Sequence, residues 1–327
     1  MEKDKVFVTR CRDSFPPEAM ARLEAACDVS YWRNEAAIPA PELAAAVRDK
    51  AGLLCLLTDR VDSAVLEAAP ALRVVATLSA GHDHLDLASL RARNILVAST
   101  PGVLTAATAE LTVALLLATS RRLLEGSAAL RAGEWRGWSP LWLCGPQLTG
   151  ATVGIVGLGN IGQAVMARLQ PFGVRRFLYW GRARKEAAAE RGAEFVPFST
   201  LLRESDFVVV TCAYSPELRH KFDAAAFQQM KRSAVLVNTS RGAVLDQAAL
   251  EAALRTGQIS AAGLDVMTPE PLPPDHPLTR LGNCVLVPHL GSATTQTRAA
   301  MADLAVDNIL AALAGNTEAM PSRLELD

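Results

Sequence analysis

Three short segments, each leaving an apolar run, carry an arginine, an acid and a histidine. Asn238-Thr239-Ser240-Arg241-Gly242 follows Val235-Leu236-Val237. Asp265-Val266-Met267-Thr268-Pro269-Glu270-Pro271 follows Ala262-Gly263-Leu264, and Pro288-His289-Leu290-Gly291-Ser292 follows Val285-Leu286-Val287. These are the groups that hydride transfer to a ketoacid needs. An arginine pairs the substrate carboxylate and polarises its carbonyl. A histidine delivers the proton, and an adjacent carboxylate orients it and favours its charged form. Each residue alone has a plainer reading: Arg241 on a surface turn, Glu270 as a solvated loop charge, His289 as a helix cap. Their shared position at the carboxyl ends of apolar strands favours the chemical reading, because open α/β sheets bind ligands at that edge.

The other histidines compete poorly. His82 and His84 stand at i, i+2 with no thiolate or acid cluster beside them, so no metal site is expected. His84 is read as capping or packing the following helix. His220 and His276 lie in polar or proline-rich loops with no strand behind them.

The element that must position this trio is a nucleotide-binding one. Thr152 to Trp180 reads as a strand, a glycine turn, a helix and a second strand, in the roughly 30 residues a dinucleotide unit requires. Its turn, Gly157-Leu158-Gly159-Asn160-Ile161-Gly162, is a complete G-x-G-x-x-G. Gly157 permits the tight turn, Gly159 lets backbone approach a pyrophosphate, and Gly162 lets helix and strand pack closely. The pyrophosphate then meets the free N–H groups and positive dipole end of the helix. An ordinary strand-to-helix turn explains one glycine but not three at this spacing. About 20 residues on, an NAD enzyme usually carries an acid for the ribose 2′-OH. Here the chain reads Trp180-Gly181-Arg182-Ala183-Arg184-Lys185, with no carboxylate before Glu186. Arg182 and Arg184 suit a 2′-phosphate, so NADPH is expected, with NADH weaker.

A length of 327 residues suggests two domains, and 50% apolar with 20% charged residues is ordinary globular composition. Net charge −1 offers no global attraction to nucleic acid or an anionic membrane. The start, Met1-Glu2-Lys3-Asp4-Lys5, lacks a signal-peptide core, and the apolar stretch Leu111–Ser120 is too short to span a bilayer. No C-x-x-C pair occurs among Cys11, Cys27, Cys55, Cys144, Cys212 and Cys284. They are expected to be reduced, in a cytoplasmic setting.

Strands and helices alternate, which means βαβ units and parallel sheets. Candidate strands are Val6–Thr9, Leu53–Leu57, Val74–Thr77, Ile95–Ala98, Val153–Val156, Phe177–Trp180, Phe207–Thr211, Val235–Asn238, Gly263–Val266 and Val285–Val287. Helical patterns include Pro41–Arg48, Ser63–Ala69, Ala248–Arg255 and Thr294–Ala314. The glycine fingerprint normally belongs to the first strand of its sheet, so the strands before it belong to another domain. The expected division is 1–104 with 296–327 as a discontinuous substrate domain, and 105–295 as the dinucleotide domain. Trp135, Trp138 and Trp142 crowd one segment, and two of the three are expected in the core.

The chain resembles the D-2-hydroxyacid dehydrogenase family, and within it the animal-type reductases of glyoxylate and hydroxypyruvate. The likeness rests on the glycine fingerprint, Thr239-Ser240-Arg241-Gly242, Gly263-Leu264-Asp265-Val266 with Pro269-Glu270-Pro271, and Pro288-His289-Leu290-Gly291-Ser292. Narrower matches are Leu53-Leu54-Cys55-Leu56-Leu57, Trp138 to Gly145, and Gly173 to Tyr179. The resemblance implies α/β architecture with two doubly wound parallel-sheet domains, a Rossmann nucleotide domain plus a flavodoxin-like substrate domain. It implies Arg241, Glu270 and His289 as the catalytic set. Substrate contacts would come from Ala80, Gly81, Arg241, His289 and Ser292. Cofactor contacts would come from Gly157, Gly159, Asn160, Ile161 and Gly162, then Arg182, Arg184, Ala213, Thr239, Asp265 and Gly291. A homodimer is implied, with Trp138 reaching the partner's active site. Two positions depart from the family pattern: His82 replaces an apolar residue, and Ala80 is smaller than the usual valine.

The expected activity is NADPH-dependent reduction of small 2-ketoacids, glyoxylate to glycolate and hydroxypyruvate to D-glycerate. The alternatives are another 2-hydroxyacid dehydrogenase, or a cofactor-sensing corepressor-type binding protein of the same family. An adenosyl-binding methyltransferase would share the glycine turn but leave Arg241, Glu270 and His289 without purpose.

Overall fold

A computed structural model describes residues 2–186, 188 and 191–326. The chain divides into two compact units, Met1–Leu104 with Ala293–Asp327, and Thr105–Ser292.

In the first unit, five strands form one parallel sheet: β1 (Lys5–Val8), β2 (Asp28–Tyr31), β3 (Gly52–Cys55), β4 (Val74–Thr77) and β5 (Leu96–Ala98). Their order, β2-β1-β3-β4-β5, is the doubly wound arrangement of a flavodoxin-like sheet. The late helix Thr295–Leu313 returns to this sheet and packs on β3 and β4. It buries Met301, Ala302, Ala305, Val306 and Ile309. Its first turn is capped by the Thr294 hydroxyl, which accepts from the Thr297 N–H at 3.1 Å.

The second unit holds β6 (Thr152–Val156), β7 (Arg176–Trp180), β8 (Ala193–Phe195), β9 (Phe207–Val210), β10 (Val235–Asn238), β11 (Ala261–Leu264) and β12 (Cys284–Leu286). All pair in parallel, in the order β12-β11-β10-β9-β6-β7-β8. This is the dinucleotide-domain order with one further strand, and it reverses direction between β6 and β9. Side chains alternate between two cores. Val153, Ile155, Val209 and Val237 face Leu115, Leu116, Val165 and Leu169. Val156, Val208, Val210, Leu236 and Leu264 face Phe222, Phe227 and Leu250. Burial on both faces is why these strands read as unbroken apolar runs.

Strand and helix ends lie within a few residues of the expected ones: Gly263–Val266 is Ala261–Leu264, and Pro41–Arg48 is Ala40–Ala46. Two strands were not expected. β2 and β8 are sheet edges with largely exposed or half-exposed residues, so neither carries an apolar run. The tryptophan expectation fails. Trp135, Trp138 and Trp142 are 55%, 85% and 42% exposed in the single chain. They lie between the helix Leu123–Arg131 and β6, where no helix or strand forms and both sheet faces are already covered. His84 does not cap the following helix either. Asp86 does, accepting the Ser89 N–H at 3.0 Å. No helix among the described residues is long and apolar enough to cross a membrane, and all six cysteines are free.

Candidate active site

The turn after β6 is built by exclusion of Cβ atoms. Gly157 has φ +92°, and a Cβ there would lie 2.4 Å from the Cys212 Cα. A Cβ on Gly162 would lie 2.5 Å from the Gly157 carbonyl oxygen, so helix and turn touch. The Thr211 hydroxyl donates to that same carbonyl at 2.9 Å and holds it. Gly159 differs. Its Cβ position has no protein atom within 4 Å, and as N-cap of Asn160–Leu169 it offers no side-chain cap. Open backbone before uncapped N–H groups fits the pyrophosphate of a dinucleotide. Asn160 is exposed at the first helical position and Ile161 packs partly against the core. Ala213 is exposed just past β9, across the reversal in strand order. Thr239, at the end of β10, is buried with its hydroxyl 2.8 Å from that of Thr112. Past β7, Arg182 and Arg184 are exposed, and so is the first acid, Glu186.

The ends of β10, β11 and β12 lie side by side and bring the trio together. Asn238, fully buried, shapes the Arg241 loop: its Nδ2 donates to the Arg241 carbonyl at 2.9 Å. Its Oδ1 accepts from the Ser240 N–H at 3.0 Å and the Ser240 hydroxyl at 2.7 Å. Gly242 then seats this loop on the neighbouring strand end, for a Cβ there would lie 2.1 Å from the Met267 carbonyl oxygen. From that strand end the Met267 N–H donates to Glu270 Oε1 at 2.9 Å. Glu270 Oε2 lies 2.8 Å from His289 Nδ1. The two side chains are 22% and 25% exposed, so solvent reaches both. Burial pushes the Glu270 carboxyl up, but the His289 hydrogen bond and charge, the Met267 N–H and the Arg241 charge outweigh it. Glu270 therefore ionises below the ordinary carboxylate range.

His289 adopts φ +53°, a left-handed conformation that favours glycine. Asp265 holds it there. The Asp265 carbonyl accepts the His289 N–H at 2.9 Å. Its carboxylate accepts the Leu290 N–H at 2.6 Å and the Gly291 N–H at 3.0 Å. Burial raises the Asp265 carboxyl above its usual range despite those bonds. Gln247 performs the same service for the Glu270 loop, accepting the Thr268 N–H at 2.7 Å and donating to the Thr268 carbonyl at 2.6 Å. A buried strand carrying a cation, a carboxylate hydrogen-bonded to an imidazole, and an open anion cradle are thus parts of one unit.

The family described as D-isomer specific 2-hydroxyacid dehydrogenase, NAD binding domain, matches residues 113–291. The chain belongs to the D-2-hydroxyacid dehydrogenase family. It is an NAD(P)-dependent oxidoreductase of that family. It is 54% identical over 326 residues to the mouse glyoxylate reductase/hydroxypyruvate reductase, covering 98% of both chains. The human protein of the same name is 52% identical over 324 residues, again with 98% of both covered. Among solved structures, an NADPH-dependent glyoxylate/hydroxypyruvate reductase from Sinorhizobium meliloti, in complex with NADP and malonate, superposes with TM-score 0.86. That pair is 31% identical and covers 99% of each chain.

The four expected residues still to be placed, Ala80, Gly81, Ser292 and Trp138, are divided between the two units. Ala80 and Gly81 are half-buried just past β4 in the first unit. Ser292 is half-buried at the end of the second unit, and Trp138 projects from it. Sequence reasoning missed the supports Asn238 and Gln247, and Asp265 in its part as a brace. Asn238 could have been flagged as a buried amide at a strand end. Gln247 carried no signal beyond following Asp246, whose side chain caps the helix Gln247–Arg255.

Proposed function

We propose that this dehydrogenase reduces glyoxylate to glycolate and hydroxypyruvate to D-glycerate, using NADPH in preference to NADH. The observation that carries the reading is the 2.8 Å bond between His289 Nδ1 and Glu270, beside a loop that presents Arg241. When bound, the reduced nicotinamide supplies a hydride. The protein's own residues do the rest. The ionised Glu270 accepts Nδ1–H, so His289 presents Nε2 as its transferable proton. After donation the imidazole keeps Nδ1–H on Glu270, and partial exposure lets solvent return the Nε2 proton. Arg241 pairs the substrate carboxylate or carbonyl oxygen. The family resemblance adds Ala80 and Gly81 backbone for the carboxylate and Ser292 beside it. It also adds Asp265 and Gly291 near the nicotinamide, with Ala213 and Thr239 along the cofactor path.

NADPH preference is supported by Arg182 and Arg184 and by the lack of an acid before Glu186. A homodimer is part of the proposal. Leu130, Trp135, Trp138, Leu141 and Trp142 expose apolar surface that a second copy would cover, and Trp138 would roof the partner's pocket. Free cysteines support a cytoplasmic setting. The test is loss of NADPH absorbance with glyoxylate, hydroxypyruvate and pyruvate in parallel. Turnover of the first two is expected. Turnover of none would overturn the proposal and favour a cofactor-sensing binding protein.

A further inference from the structure

We infer that His84 is a positioning residue for the carboxylate-binding loop, acting through Thr77 and Ser79 on the Gly81 carbonyl. The inference rests on the assignment of Ala80 and Gly81 to the substrate carboxylate.

Four groups of the first unit form one chain of hydrogen bonds. His84 Nε2 lies 2.9 Å from the Thr77 hydroxyl, and that hydroxyl lies 2.9 Å from the Ser79 hydroxyl. The Ser79 hydroxyl donates to the Gly81 carbonyl at 2.6 Å. Thr77 and Ser79 are 0% and 4% exposed, so water cannot substitute for a lost partner at little cost.

The direction of the chain follows from the inventory of protons. A carbonyl only accepts, so the single Ser79 hydroxyl proton goes to Gly81. Ser79 must then accept from Thr77, whose only hydroxyl proton is thereby used. Thr77 in turn must accept from His84, and Nε2 must carry a proton. The Cys55 thiol also lies against Thr77, but burial pushes it up and keeps it neutral, a weak partner for that proton. A residue without a donor at position 84 leaves the Thr77 oxygen underbonded and frees its proton from one orientation. The Gly81 carbonyl then loses its fixed donor. That carbonyl sets the peptide plane after a glycine, the residue with most backbone freedom to lose. His84 thus removes a freedom from the loop without touching the substrate.

The effect belongs in ketoacid binding and not in the cofactor or the chemical step. His84→Leu should raise KM for glyoxylate about tenfold, the worth of one buried hydrogen bond. kcat and KM for NADPH should stay within about twofold. His84→Gln, whose Nε2 can donate, should restore KM. Ser79→Ala should reproduce the His84→Leu effect, and the double variant should be no worse than either single one. Independently of activity, ¹⁵N NMR of histidine-labelled wild-type protein should show His84 protonated at Nε2. His84 protonated at Nδ1 alone would overturn the chain even if His84→Leu failed to fold. Unchanged KM in a folded His84→Leu or Ser79→Ala overturns the inference while wild-type turnover keeps the functional reading. Absence of wild-type turnover with any ketoacid overturns both.

Discussion

Gly242→Ala should separate chemistry from cofactor binding. The added methyl would stand 2.1 Å from the Met267 carbonyl oxygen, 2.2 Å from its carbon and 2.7 Å from its Cα. All three are backbone atoms, so no rotamer change relieves the clash. Restoring ordinary contact requires the Arg241 loop and the β11 strand end to part by roughly 1 Å. The loop is pinned behind by Asn238, and the strand end carries the Met267 N–H that orients Glu270. The displacement therefore falls on the spacing between Arg241 and the Glu270–His289 pair. A misplacement of about 1 Å can cost about 10²-fold in rate, and overpacking costs about 1–3 kcal/mol of stability. The assay is kcat with glyoxylate, NADPH affinity by fluorescence titration, and Tm. The expected result is turnover down about a hundredfold, Tm lower by several degrees, and NADPH affinity within a few-fold. Gly159→Ala provides the contrast, because its Cβ meets no protein atom: Tm should hold while NADPH binding weakens. Full turnover in a folded Gly242→Ala protein would refute the reasoning.

Replacing both Arg182 and Arg184 with alanine should raise KM for NADPH about tenfold and leave NADH nearly unchanged. The low end of a charge-assisted contact is expected because both arginines are exposed and screened; equal effects on both cofactors would sink the assignment. His289→Ala should lose about 10²–10⁴ in turnover. Glu270→Gln should lower turnover, since the ionised carboxylate that fixes Nδ1–H of His289 is gone; unchanged turnover refutes the pairing. The same substitution bears on stability. Glu270 ionises below its ordinary range in the folded protein, so its pairing stabilises above the unfolded pKa and that contribution vanishes as pH falls through the folded value. The Tm gap between wild type and Glu270→Gln should therefore close on acidification, and a gap that widens contradicts the linkage. Trp138→Ala should leave glyoxylate reduction largely intact and admit bulkier ketoacids such as phenylpyruvate, read as relative kcat/KM with the dimer checked by sedimentation. If the variant is dimeric and its selectivity does not move, Trp138 is structural.

How much of this was legible in the sequence depends on what kind of force writes each feature. Strands β6, β9 and β10 bury residues on both faces, so the hydrophobic effect leaves a continuous apolar run that can be read without knowing the fold. Edge strands β2 and β8 have one neighbour each, and backbone hydrogen bonds from that neighbour hold them without an apolar signature. The three tryptophans show the converse error. Large aromatic residues suggest core, but a chain read alone does not say whether its own elements leave room for them. Here they do not, and the rings at 135, 138 and 142 stay exposed in the single chain.

The same division runs through the site. Arg241, Glu270 and His289 could be found because each must leave the end of a buried strand, and strand ends are visible. The groups that aim them could not. Asn238 and Gln247 act by bonding backbone N–H and C=O groups of loops, and every residue offers those groups. Nothing in spacing or periodicity therefore distinguishes a supporting amide from a solvated one. Asp265 shows why this matters for mechanism. As a charge near His289 it reads as an electrostatic partner, yet both its oxygens accept backbone N–H groups from Leu290 and Gly291. Its main effect is conformational: it holds a histidine in a left-handed backbone that a non-glycine residue seldom adopts. Nδ1 thereby faces Glu270 at 2.8 Å, an orientation that the identity of the three side chains alone does not provide.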